Sequence, residues 1–349
     1  MKKRELNFDP AQLRYHGIIG TGGIGSGKFF VLNGNHTLGR EESRSGRFLD
    51  ISDYCKQHII LHYIKILLGN YFRVIPVGKV GADDVGRLLL EEMKNTGFGT
   101  GLIGVDKDRS TLFSFCFSYP DGSGGNLTTD NSASSAVDRA YIDLSLNEIQ
   151  RLGSKGIALA APEVSLEARA ELLMLARQNG LFTASSITSG EVVEEERYRI
   201  VENSDLIAIN SDEAAAVAGL TDEGQDRKYV FERAIEKLTR RNKNIIVSIT
   251  AGRDGSWLWD GSSLHHFQAL KTSVISTAGA GDAFLSGLLT GIALGLEPSE
   301  SQQLATLVAS HSVTSPDTIN KLTDRVALKQ LAAEQNIIFS NKLIKLLED

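Results

Sequence analysis

From about residue 140 the chain alternates short apolar runs with amphipathic stretches, and this rhythm restricts the fold more than any other feature. "GIALAAP" leads into "LEARAELLMLARQNG", and "LFTASSI" is followed by "LIAIN". Then come "SDEAAAVAG", "YVFERAIEKLTRRNK" and "NIIVSIT". Short continuous apolar runs read as strands buried on both faces, and the longer periodic stretches as helices. Strands alternating with helices imply a parallel sheet covered on both sides. "GSWLWDGSSLHHFQAL" reads as a hairpin, "AGDAFLSGLLTGIALG" as a helix stopped by Gly295, and "SQQLATLVASHSV" as one more helix.

The N-terminal part is less regular. Residues 15–34 read as a strand, a glycine-rich turn and a second strand, "KFFVLN". Asn33-Gly34-Asn35 is a hairpin turn, with "HTLGR" returning. "GREESRSGRFLD" reads as a polar loop, residues 52–68 as a helix and "FRVIPVGKVG" as a buried strand. "DDVGRLLLEEMKNTGF" is an amphipathic helix that starts at Asp83 or Asp84 and ends before Gly97. "TLFSFCFSYPDGSGGNLTT" reads as an aromatic strand followed by a loop. No repeat, low-complexity tract or linker divides the chain. The expectation is one domain over 1–349, with lid strands at about 26–50 and 108–130 inserted in it.

A net charge of −6 argues against nucleic acid as a partner. No apolar run is long enough to span a bilayer, and "MKKRELNFDPAQLRY" lacks the apolar core of a signal peptide. Cys55 and Cys116 are the only cysteines, so no disulfide framework is implied. These features together point to a cytoplasmic setting. His58 and His62 stand four apart on a predicted helix, but no carboxylate or cysteine clearly completes a zinc site. His265 and His266 read as a hairpin pair.

The run "GIIGTGGIGSGKFF" matches two phosphate-binding patterns. Gly20 to Gly25 fits the dinucleotide fingerprint G-x-G-x-x-G, and Gly22 to Lys28 fits G-x-x-x-x-G-K. A dinucleotide site needs a helix directly after the third glycine. A P-loop needs Ser or Thr after the lysine, and Phe29 stands there. Both readings fail on this context, so a dinucleotide-binding oxidoreductase is only a distant alternative.

The chemistry is concentrated at "ISTAGAGDAFLSGLLTGIALG", Ile275 to Gly295. A strand end, a glycine-rich turn and a helix start are expected there. Gly279, Ala280 and Gly281 would present bare N–H groups to an anion. Asp282 falls in the first helical turn. It fits a capping acid and equally a general base beside an anion hole.

"TAGAGDAF" closely resembles the G-A-G-D signature of the ribokinase-like (PfkB-type) carbohydrate kinase family. The likeness extends over most of the chain and keeps the family's order. It includes "VGKVGADDVGRLLLEEMKNTGF", "STLFSFCFSYPDGSGGNLTTDNSASSAV", "LIAINSDEAAAVAG" with Asn210 and Glu213 at N-x-x-E, and "IIVSITAGRDGSWLWDG" with Thr250, Gly252 and Gly255 at T-x-G-x-x-G. The resemblance implies a three-layer αβα sandwich with a mostly parallel sheet and a small β lid. It implies a kinase that moves the γ-phosphoryl of ATP to a hydroxymethyl group. Asp282 would take the hydroxyl proton, and the backbone of Gly279, Ala280 and Gly281 would form the anion hole. Asn210 and Glu213 would organise Mg²⁺ and its waters, and the Thr250–Gly255 loop would border the nucleotide. Read alone, Asn210 and Glu213 are equally a helix cap, and Thr250–Gly255 an ordinary turn. Family behaviour also implies a homodimer through the lid.

Three departures from the family pattern stand out. Ser276 replaces the acid that precedes the signature threonine, which leaves monovalent-cation activation open. Gly25 stands where the family's first strand carries a sugar-binding Asp. Counting back from Leu67-Leu68-Gly69, the G-G-x-x-x-N segment falls on Cys55, Lys56 and Ile60. The basic residues Lys28, Arg40, Arg44, Arg47, Lys56 and Arg109 lie in or near segments that would face the acceptor. They fit an anionic acceptor or solvated lid charges paired with Glu41 and Glu42. The lost sugar motifs also fit a non-catalytic binding protein, while the intact Asp282 and its glycines favour an enzyme.

Overall fold

A computed structural model describes residues 4–121, 123–220 and 226–348. The other positions of the expected 1–349 domain, residue 122 of the expected 108–130 lid segment among them, lie outside the described residues. The strands are β1 (Gly17–Thr21), β2 (Gly25–Leu32), β3 (Gly46–Tyr54), β4 (Arg73–Gly81), β5 (Leu102–Asp106), β6 (Leu112–Ser118) and β7 (Gly124–Thr128). They continue with β8 (Gly156–Ala160), β9 (Phe182–Ser186), β10 (Leu206–Asn210), β11 (Ile246–Thr250), β12 (Ser256–Trp259) and β13 (Leu264–Phe267).

Nine of them form one sheet in the order β13-β12-β11-β10-β9-β8-β1-β4-β5. All neighbours from β5 to β11 are parallel, and β12 and β13 are added as an antiparallel hairpin. Helices cover both faces, as successive residues of β1 show. Ile18 packs with Ile60, Ile64 and Leu288, whereas Ile19 packs with Ile142, Ala168 and Leu172. This two-sided burial is why the strands read as unbroken apolar runs. In an open parallel sheet the strand C-termini form the ligand-binding edge. Here Asn210 and Thr250 are the last residues of β10 and β11, and they are register partners.

The second sheet has the order β3-β2-β6-β7 and stands apart from the first. Its β2–β6 pair is parallel and its outer pairs are antiparallel. Alternation divides its side chains between two faces. Phe30, Phe48 and Phe115 cluster on one, with ring centroids 5.0–6.2 Å apart. Gly27, Asp53, Ser114 and Cys116 share the other.

Several local expectations are corrected. Asn33-Gly34 does turn the chain, with Gly34 at φ 87°, but "HTLGR" is not the return strand. The segment to residue 45 is a polar loop tied by Arg44 to Glu42 and by Asn33 to Ser45. The return is β3, which takes "GRFLD" from the expected loop. β3 also takes Ser52 to Tyr54 from the expected helix, which runs Lys56–Leu68. β3 is hard to read because polar residues interrupt its apolar ones on both faces and it is bulged against β2. Gly124–Thr128, expected as loop, is the edge strand β7 and is exposed throughout. No strand precedes the glycine turn at 278–281. Residues 268–274 are irregular, and the backbone of Ile275 and Ser276 is held by the Val313 carbonyl.

Candidate active site

The helix Ala280–Ala293 begins at Gly279, which is left-handed at φ 75° and ψ 0°. A Cβ on Gly279 would stand 2.8 Å from the Thr318 carbonyl, so both conformation and space demand glycine there. No side chain caps this helix. The Ala280 N–H donates to the Thr277 carbonyl at 3.2 Å, which leaves the N–H groups of Gly281 and Asp282 as the orphan donors of the first turn, at the positive end of the helix dipole. Nothing lies within 4 Å of where a Cβ on Gly281 would be. The turn faces an open cleft of about 940 Å³. Gly252 and Gly255 line that cleft, together with Thr277, Gly279 and Gly281. A helix start of this kind attracts anions, and the cleft has room for a nucleotide-sized ligand.

Asp282 comes next in the same turn and is 15% exposed. Burial raises the pKa of its carboxyl, and the Lys56 ammonium opposes that shift. Lys56 starts the helix Lys56–Leu68 after an extended Cys55, with its Nζ 4.0 Å from Asp282 Oδ1. Asp282, Glu163 and Glu213 all act on this ammonium and raise its pKa. A small adjoining cavity of about 60 Å³ is lined by Lys56, Asn210, Glu213, Thr250 and Asp282.

Asn210 and Glu213 form a reciprocal cap. Asn210 Oδ1 accepts from the Glu213 N–H at 2.9 Å, and Glu213 Oε2 accepts from the Asn210 N–H at 2.8 Å. The capping reading is therefore correct, yet both residues also line the small cavity with Asp282. Burial pushes the Glu213 carboxyl up to about 7, against its bond from Asn210 and the charge of Lys56.

Among the proposed acceptor-side residues, the structure brings only Lys56 to the cavities. Gly25 opens β2, and a Cβ there would lie 2.2 Å from the Leu112 carbonyl. No aspartate could stand at 25 on this backbone, so the missing acid was not simply deleted from an open position. Lys28 is exposed and alternates onto the lid face of Phe30 and Phe115, opposite Asp53. Arg109 is tied to Asp106 on its own turn, at 3.4 Å. Neither lines a cavity beside Asp282. Arg44 is likewise spent on Glu42 within its loop. From Gly25 the chain runs on as strand β2 rather than as a helix, so the dinucleotide reading lacks its required element.

Two acids near Asp282 were not foreseen. Glu163 lies just after β8 and holds φ 76°, one of two non-glycine residues of the described chain at positive φ. Strain of this kind gathers at functional sites. Its Oε2 is buried without a hydrogen-bond partner among the described residues. Burial pushes its carboxyl up to about 7, opposed chiefly by Lys56. A Cβ on Gly23 would sit 2.5 Å from that oxygen, so the glycine run makes room for Glu163. Asp53, near the end of β3, is 8% exposed. Its Oδ2 accepts from Ser114 Oγ at 2.9 Å, and burial raises its pKa. Glu163 had one sequence signal, an acid directly after a strand end and a proline. Asp53 had none, because its strand does not show in the apolar pattern.

Among the described residues no group of three or more His, Cys, Asp or Glu could hold a metal ion. His58 and His62 are buried in the core and form no zinc site. No helix of the described chain is long and apolar enough to cross a membrane.

Comparison with known proteins agrees with this geometry. A family model described as pfkB family carbohydrate kinase matches residues 64–325. An uncharacterized sugar kinase of Archaeoglobus fulgidus is 24% identical over 261 residues, covering 68% of this chain and 90% of the relative. A 5-dehydro-2-deoxygluconokinase of Bacillus licheniformis is 25% identical over 275 residues, covering 74% and 81% respectively. Among solved structures, a ribokinase from Cryptococcus neoformans in complex with ADP superposes with a TM-score of 0.73 at 18% identity. That match covers 90% of this chain and 98% of the other. The fold is thus ribokinase-like, with a mostly parallel sheet and a smaller separate lid sheet.

Proposed function

The chain belongs to the PfkB family of carbohydrate kinases, and from that premise we propose that it phosphorylates a hydroxyl group of a small sugar-like acceptor, with ATP as donor and Asp282 as general base. The observation that carries this reading is the position of Asp282. It sits in the first turn of an uncapped helix, at the mouth of the cleft, with Gly279, Ala280 and Gly281 beside it. Phosphoryl transfer needs positioning and charge stabilisation more than covalent help. Asp282 receives the hydroxyl proton as the oxygen approaches phosphorus. The N–H groups of the helix start hold the charge on the phosphoryl oxygens. Thr250, Gly252 and Gly255 border the nucleotide.

Magnesium would supply charge neutralisation on the phosphates. The donor set fits a role shared with the ligand: Glu213, with Asn210 beside it, would hold the ion's waters at the cavity, and phosphate and water would supply its oxygens. On the acceptor side, Lys56 lines both cavities, and the buried Asp53 and Glu163 lie behind them as carboxyls coupled by charge to Asp282. The exposed lid face carries Phe48 at 61% and Leu127 at 63% exposure, which supports pairing of two copies through the lid. No helix of the described chain is long and apolar enough to cross a membrane, and a cytoplasmic setting belongs to the proposal.

Asp282→Asn tests the central claim. It is expected to lower turnover by about 10²–10⁴-fold while ATP still binds. Phosphorylation is measured as ADP release against D-ribose, D-fructose, inosine and D-gluconate, and ATP binding by calorimetry. Unchanged turnover in the variant would remove Asp282 from the role.

A further inference from the structure

The segment around Lys56 differs most from the family pattern, and it lies closest to the base. A lysine stands where the resemblance places a glycine, and its charge reaches Asp282. We propose that Lys56 is a catalytic residue, its ammonium contacting both the attacking acceptor oxygen and the transferring phosphoryl group. This rests on the phosphorylation reading given above.

The geometry is specific. The 4.0 Å between Nζ and Asp282 Oδ1 is too long for a direct hydrogen bond. It is the third side of a triangle whose other sides are ordinary hydrogen bonds of about 2.8–3.0 Å. One oxygen can therefore donate its proton to Asp282 and accept a hydrogen bond from Lys56. The attacking hydroxyl is the group that must lie against the base. Lys56 also lines both cavities. In the large cleft it shares the wall with Gly279 and Gly281, and in the small one with Asn210 and Glu213. Lys56 thus borders both the cleft of the glycine turn and the cavity beside Glu213.

The surroundings explain how it is held. Asp282, Glu163 and Glu213 all act on it and favour its charged form, and its side chain is 38% exposed towards the cleft. A charged donor placed in advance at such a point stabilises negative charge as it develops. In the step itself, the acceptor hydroxyl gives its proton to Asp282 and its oxygen bonds to the γ-phosphorus. The bond from that phosphorus to the bridging oxygen breaks, and ADP leaves. Lys56 keeps its three protons throughout.

The competing role is that of a counter-ion that merely keeps Asp282 ionised. Lys56→Met and Lys56→Gln in the full chain separate the two, with Asp282→Asn alongside. The assay is ADP release with each of the four acceptors above and with water alone. The expected result is a loss of about 10²–10³ in kcat for both Lys56 variants, with the ATP Kd within about threefold of the parent. Added ethylamine should restore roughly tenfold of the lost rate in Lys56→Met and none in Asp282→Asn. If Asp282→Asn is inactive but both Lys56 variants keep kcat within about threefold, the Lys56 role falls and the base stands. If the Lys56 variants are slow, ignore ethylamine, and recover full rate at higher pH, Lys56 is only a counter-ion. If the parent chain releases no ADP in any mixture, the phosphorylation reading itself falls. Lys56→Gln keeps a polar N–H donor on a side chain one atom shorter, so it serves should Lys56→Met not fold.

Discussion

Replacing His58 by leucine should remove a defined part of the protein's acid sensitivity. His58 lies on the helix that carries Lys56 and is fully buried. Both ring nitrogens lack hydrogen-bond partners among the described residues. The ring packs edge-on to Tyr54 at 4.7 Å and to Phe98 at 5.9 Å, with His62 6.3 Å away. The charges that reach it are Glu92 and Lys321, and they act in opposite directions. Burial dominates and lowers its pKa from 6.5 to about 4. The unfolded chain thus binds more protons than the folded one between those values. Stability falls as pH drops from about 6.5 and levels off below about 4. The linkage integral for these two pKa values gives a loss of about 2 kcal/mol between pH 7.5 and pH 5. Urea unfolding of both proteins at pH 7.5, 6.5, 5.5 and 5.0, at constant ionic strength, measures the difference. The readout is the change in that difference with pH, because packing adds only an offset. Parallel curves would show that His58 is either not neutral or not shielded, and the linkage argument would fail.

Two other substitutions probe the lid. Gly27→Ala places a methyl 1.9 Å from Asp53 Oδ2 and 2.3 Å from Ser114 Oγ. A loss of about 1–3 kcal/mol in urea unfolding is expected from this overpacking, together with a raised KM for the acceptor and an unchanged KM for ATP; wild-type values for all three would show that Asp53 yields freely. Phe48→Lys puts a charge in the middle of the Phe30–Phe48–Phe115 cluster on the exposed lid face. If two copies pair through this face, light scattering should show the parent as a dimer and the variant as a monomer; a parent that is monomeric at every concentration would end the pairing proposal.

The parallel sheet was legible because its strands are buried on both faces, so each is a plain apolar run bounded by turns. The helix caps were legible for a similar local reason: Asp83 accepts from the Gly86 N–H and Gly97 is left-handed, as the residue types require. The lid was only half legible. β2 and β6 carry aromatics, but β3 alternates polar residues with few apolar ones and closes a loop of its own salt bridges. The residues proposed as base, anion hole and nucleotide loop lie on short contiguous stretches at strand and helix ends, so a short motif could expose them. The proposed acceptor side draws on Lys56, with Asp53 and Glu163 behind it, and these come from three separate segments. Only the charge of Lys56 was visible, and Lys28 and Arg109 carried the same signal without sharing its place.

The glycines make the same distinction physically. A glycine can face a ligand by leaving open the space of its side chain, as Gly281 does, with nothing within 4 Å, or by holding a left-handed turn, as Gly279 does. The run from Gly20 to Gly27 matches phosphate motifs in spelling, but its missing side chains are replaced by protein. A Cβ on Gly22 would lie 2.9 Å from Ala161 and Gln57, one on Gly23 2.5 Å from Glu163, and one on Gly25 2.2 Å from Leu112. These glycines exist so that the Lys56 helix, the turn after β8 and the lid strand β6 can converge on one another. That convergence delivers Lys56 and Glu163 to the neighbourhood of Asp282. The run therefore contributes to the acceptor side by close packing, and an alanine at Gly23 should act on Glu163 and the acceptor while leaving nucleotide binding intact.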